Sequence, residues 1–120
     1  MQDWKGSVTF SLKHVGINCQ NTEEALKVAG KYENAFGMQV KAGNSSVFAG
    51  KAIECMKKPY LGLNGHIAFE TESIEEAILY LQERGFEVDP DTAKYNDEGI
   101  CKAVYLQGDF GGFAVHLVRK

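Results

Sequence analysis

The chain has 120 residues, 44% of them apolar and 24% charged, with a net charge of −3. That length supports one domain with its own core, and the composition is ordinary for a globular protein. Lys and Arg are scattered, adjacent only at Lys57-Lys58 and Arg119-Lys120, which argues against partners that need a basic patch, namely nucleic acid and anionic membrane surfaces.

The opening stretch, MQDWKGSVTF (1–10), lacks the charged and apolar regions of a signal peptide. SLKHVGINC (11–19) predicts a strand. Asn21 or Thr22 can cap a helix whose first turn carries Glu23 and Glu24, favourable at the positive end of the dipole. The helix runs to about Phe36, where Gly37 stops it. MQVKA and SSVFAG predict strands around a turn at Gly43-Asn44, and KAIECMKK predicts another. KPYLGLNG is a connection, marked by Pro59 and two glycines. A strand at 65–71, a Ser73-capped helix over about 74–84 ended by Gly85, and a short strand FEV follow. DPDTAKYNDEG reads as a long polar loop. CKAVYLQ and GFAVHLVRK are the last strands, separated by GDFGG.

No apolar run is long enough to span a bilayer. The three cysteines, Cys19, Cys55 and Cys101, are odd in number and lack a CxxC spacing, a poor disulfide framework. They read as small apolar filler in a reducing, cytoplasmic setting.

The chain contains an internal repeat. HVGINCQNTEEA (14–25) aligns without gaps on HIAFETESIEEA (66–77), and GKAIECMKK (50–58) parallels GFAVHLVRK (112–120). Each half therefore reads as strand, helix and three strands. The expected architecture is an α+β fold of two β-α-β-β-β modules, about 11–58 and 63–120, forming curved mixed sheets around a cavity. One half alone is too small to bury a stable core, whereas two packed together can.

Strand alternation sorts the side chains into two faces. Val15 with Ile17, Ile53 with Cys55, Ile67 with Phe69, and Val115 with Leu117 share the face expected under the helices. On the opposite face, His14, Glu54, His66 and His116 each stand two positions from a Gly or Ala, as at the wall of a cavity. The repeat relates His14 to His66 and Glu54 to His116. All three histidines of the chain fall at these positions. Imidazoles with a carboxylate suit Zn²⁺, Ni²⁺, Co²⁺, Mn²⁺ or Fe²⁺, so a divalent metal is the expected cofactor.

The same residues carry a resemblance. LKHVGINC, the paired modules and NGHIAF resemble the vicinal oxygen chelate superfamily, which includes glyoxalase I. The resemblance implies metal ligands from the first and fourth strands of each module, here His14, Glu54, His66 and His116. It implies a lyase or isomerase acting on a small vicinal-oxygen substrate through a metal-stabilised enediolate. His116 departs from glyoxalase I, which has Glu there as its proton-transfer base, so lactoylglutathione lyase activity does not carry over. His116 is then a fourth ligand or a neutral imidazole base. Phe48, Met56, Tyr60 and Tyr105 are candidates for the substrate pocket. The alternative within the superfamily is non-catalytic small-molecule binding of the bleomycin-resistance type, or a regulatory role.

SLKHVGINC, NSSVFAG, GHIAF and GGFAVHLVRK also resemble the glyoxalase-like domain appended to some bacterial 2-keto-3-deoxy-6-phosphogluconate/4-hydroxy-2-oxoglutarate aldolases. That implies an aldolase domain or protein as a partner, with residues 1–10 a leader or linker remnant. A homodimer is expected. The modules can pair within one chain or be exchanged between two, each site then drawing His14 and Glu54 from one subunit and His66 and His116 from the other.

Overall fold

The computed structural model describes residues 8–120. The first module contains β1 (Ser11–Asn18), α1 (Thr22–Phe36), β2 (Val40–Ala42), β3 (Ser46–Ala49) and β4 (Ile53–Met56). The second contains β5 (Gly65–Thr71), α2 (Ile74–Glu83), β6 (Val88–Tyr95), β7 (Cys101–Leu106) and β8 (Phe113–Arg119). The assignment of residues 1–10 to a leader falls mostly outside the described residues. Val8 packs against the core of the second module, and the Phe10 ring lies 5.6 Å from that of Tyr80.

Local signals set the helices. Asn21 Oδ1 accepts the Glu24 N–H at 2.8 Å, while Glu24 Oε1 accepts the Gln20 N–H at 2.9 Å, a reciprocal cap. Gly37 ends α1 at φ 71°, a conformation costly for other residues, and donates to the Glu33 carbonyl. Ser73 caps α2 through the Glu76 N–H. Arg84 closes α2, one residue before the expected Gly85.

The strands form one eight-stranded sheet in the order β2-β3-β4-β1-β5-β8-β7-β6. The mixed sheets of the two modules are continuous, because β1 and β5 pair antiparallel at the centre. Each central strand pairs in parallel with the last strand of its own module, β1 with β4 and β5 with β8. The two modules meet within one chain, through the β1–β5 pairing.

One expectation needs correction. Residues 88–95 form the edge strand β6, not a polar loop with a preceding short strand. An edge strand pairs on one side only, so it tolerates Pro90, which lacks an N–H. Its register slips between Asp89 and Lys94, and the residues between them bulge. Polar composition concealed a strand because neither face of this stretch is deeply buried.

The core lies between helices and sheet in two parts. Under α1, Ala25 and Ala29 pack on Cys19, Val47, Ala49 and Cys55. Under α2, Ile74 and Ala77 pack on Cys101, Val104, Leu106, Val115 and Leu117. The cysteines are buried, unbridged members of these cores, as filler should be. Among the described residues no helix is long and apolar enough to cross a membrane.

Candidate metal centre

Register brings the four ionisable residues together. β4 sets Glu54 beside Gly16, β1 sets Gly16 beside His66, and β5 sets His66 beside Ala114. The neighbouring row runs His14, Ala68, His116. Large ionisable side chains thus alternate with Gly or Ala across strands as well as along them. The spacing is sterically required at Gly16, where a Cβ would fall on the His66 imidazole.

His14 Nε2, His66 Nε2 and Glu54 Oε1 form a tight triangle. The two nitrogens are 3.2 Å apart, and each is 3.1 Å from the carboxylate oxygen. His116 stands over this triangle, its ring centroid 5.7 Å from that of His14 and 5.0 Å from that of His66. Ligating atoms of the three histidines all lie within 4.8 Å of one another. His14 and His66 are buried, and Glu54 is nearly so.

Electrostatics follow from this packing. Burial alone would raise the Glu54 carboxyl, but hydrogen bonds from His14, His66 and Ser46 outweigh it and hold the group well below the usual carboxylate range. Burial, reinforced by the neighbouring His66 and His14 imidazoles, pushes His116 down to about 3, so it is neutral at physiological pH. Burial, with Tyr60 and Glu54, pushes the Tyr105 hydroxyl up, keeping it protonated.

The donor set fits a metal ion on two grounds. Ligands about 2.1 Å from one ion stand about 3.0 Å apart in an octahedron and about 3.4 Å apart in a tetrahedron; the observed sides, 3.1 and 3.2 Å, lie between these. The triangle is also frustrated without a cation. The carboxylate carries no proton and each ring nitrogen carries at most one, so only two of the three contacts can be hydrogen bonds. A shared cation satisfies all three. The buried His116 Nε2 has no partner and is a free fourth donor. His66 Nδ1 is likewise buried without a partner, a departure from metal sites in which the far nitrogen is held by a neighbouring acceptor.

Of the expected pocket residues, two reach the centre. Tyr105 stacks on His116 at 4.4 Å, with 23° between planes, and Phe48 meets His14 edge-on at 5.9 Å. Tyr60 is half exposed and touches Tyr105 at 5.8 Å, placing it at the rim. Met56 lies farther along β4 and lines a groove with Lys57, Pro59 and Tyr60.

The small residue expected on the cavity face of β1, Gly16, makes room for His66. Ser46 escaped the sequence reading: it donates to Glu54 Oε2 at 2.8 Å. Alternation along SSVFAG, with Phe48 on the cavity face, was a signal for Ser46, but the pairing of β3 with β4 was needed to aim it.

No family model and no curated protein matches the chain. Solved structures do. A hypothetical protein from Bacillus halodurans superposes with a TM-score of 0.64 at 20% identity, covering 93% of this chain and 95% of that one. A Streptomyces coelicolor methylmalonyl-CoA epimerase variant in complex with 2-nitronate-propionyl-CoA gives 0.61 at 16% identity, covering 92% and 94%. The Mycobacterium tuberculosis methylmalonyl-CoA epimerase gives 0.56 at 15%, covering 90% and 86%. At such identities the likeness speaks to architecture, and it establishes that this chain has the fold of the methylmalonyl-CoA epimerases.

Proposed function

We propose that the protein is a metal-dependent lyase or isomerase acting on a small substrate with two adjacent oxygens. One observation carries this reading: two buried imidazoles and a carboxylate converge at ligand spacing, beside a third imidazole whose nitrogen has no partner. A bound Zn²⁺, Ni²⁺, Co²⁺, Mn²⁺ or Fe²⁺ would act as a Lewis acid toward the substrate oxygens, favouring loss of a proton from the adjacent carbon. His14, His66 and Glu54 would hold the ion, with Ser46 orienting the carboxylate. His116 supplies the fourth donor. Its depressed basicity keeps the lone pair available but makes it a weak proton acceptor, which favours the ligand role over the base role. Phe48 and Tyr105 wall the centre and limit water. The fold shared with methylmalonyl-CoA epimerases accords with an isomerase reading.

A second reading is a non-catalytic small-molecule-binding module. It is favoured by the directions of the shifts at His116 and Tyr105: burial pushes the imidazole down and the phenol up, away from neutral pH, which suits neither to proton transfer. Metal analysis of purified protein, before and after incubation with Ni²⁺ or Zn²⁺, separates the two. About one tightly held ion per chain, lost in a His14→Ala, His66→Ala double variant, is expected of the metal centre. An empty protein that takes up no added metal would leave the binding module.

A further inference from the structure

The edge strand β6 carries a feature that the metal centre does not use. Asp89 pairs with Tyr105 and Lys94 with Ala103, so β6 spends more residues than β7 over this interval. Thr92 holds the resulting bulge: its hydroxyl donates to the Asp89 carbonyl at 2.7 Å and accepts the Tyr105 N–H at 2.9 Å. Residues directly opposite across a ladder share a face. Lys94 faces Ala103, Tyr105 faces His116, and Ala103 and Tyr105 are two apart on one strand. Lys94 therefore stands on the face that holds the metal centre. The bulge decides this, because a one-residue slip would turn the side chain to the other face.

Two facts show what Lys94 can meet there. Its ammonium is exposed and makes no ion pair or hydrogen bond among the described residues, yet its charge is felt at His116. Asp89, on the same strand, is engaged by the Asp91 N–H at 3.1 Å. The donor set is also short of negative charge. Three neutral imidazoles and one carboxylate leave a divalent ion with a residual positive charge. Glu54 lies across the centre, on β4; on the side with His116 and Tyr105 the register sets the Asp89 carboxylate, already engaged by a backbone N–H, opposite Tyr105, and leaves the Lys94 ammonium as the uncommitted charge beside the phenolic donor.

We propose that the site takes an anionic substrate, a small carboxylate, whose carboxylate group is held by Lys94 beside Tyr105 and His116. The residual charge of the ion rests on the metal-centre reading; the part played by Lys94 does not. The test compares two molecules that differ in the anionic group, lactate and propane-1,2-diol. Each is titrated by calorimetry into the wild type, K94Q and K94R, both metal-free and loaded with Co²⁺. Cobalt absorption provides the second readout. The wild type should bind lactate in preference to the diol. K94Q should weaken lactate about tenfold without changing diol or cobalt binding, and K94R should restore it. Equal lactate binding by K94Q and the wild type overturns the proposal, as does equal binding of lactate and diol. Failure to take up cobalt overturns the metal-centre reading instead, and the metal-free titrations then decide the role of Lys94. Lactate binding to neither form also overturns it.

Discussion

The two halves of the centre are built on the same backbone plan but carry different chemistry. In the first module Glu54 sits opposite Phe48, and Ser46, two residues away, donates to its carboxylate. In the second module His116 sits opposite Tyr105, and Ala103 takes the place corresponding to Ser46. One half is anionic and held by hydrogen bonds. The other is neutral, packed under an aromatic ring and bordered by Lys94. The repeat supplies positions, and single residue choices at equivalent positions supply the charge.

The largest effect should separate these halves directly. Glu54 touches both imidazoles, whereas His116 stands outside the tight triangle. Glu54→Ala should lower metal affinity by more than about 100-fold, and His116→Ala by about tenfold. Competition with a chromogenic chelator measures both, and equal losses would break the comparison.

Steric room is the next test. Gly16→Ala puts a methyl group into the His66 ring, which should cost about 2–3 kcal/mol in urea unfolding. The repeat-related change, Ala68→Gly, removes a methyl group instead and should cost about 1 kcal/mol. An Ala at position 16 tolerated without loss would show that the imidazole can sit elsewhere.

Ser46→Ala should weaken metal binding about tenfold, because the carboxylate loses the donor that orients it. Its carboxyl should then titrate higher, visible by NMR of the metal-free protein.

The smallest effect is the pH dependence of the metal-free chain, and it resolves the halves by window. His116 is pushed from the ordinary 6.5 down to about 3. Between those values the unfolded chain binds more protons than the native one, so stability, full above about pH 6.5, falls as pH drops. Glu54 is also depressed, from 4.5, so its contribution is full above that value and lost on further acidification. His116→Gln should abolish the first limb of the acid decline and spare the second, and Glu54→Gln should do the reverse. Urea midpoints across the range decide it.

Much of this was legible because it rests on local periodicity. The helix caps at Asn21 and Ser73, the stop at Gly37 and the two-face alternation of the strands are short-range rules, and the structure follows them. The four candidate ligands emerged from alternation combined with the repeat. Strand β6 was missed because its polar residues obey edge-strand rules, which depend on knowing that it is an edge. Ser46 and Lys94 were missed because their aim depends on a partner strand.

The sequence by itself determined the two modules, the helix-facing core and the set of residues able to share one centre. Side-chain direction along a strand depends only on the chain's own period. The tertiary structure alone decided that β1 and β5 join the modules into one sheet, which brings His14 and His66 to 3.2 Å and lets both reach Glu54. It alone decided that His116 lies under Tyr105 and that a bulge turns Lys94 toward them. Register between strands is a long-range pairing, set by buried area and ladder hydrogen bonds summed over the whole sheet, and no short stretch of sequence encodes it.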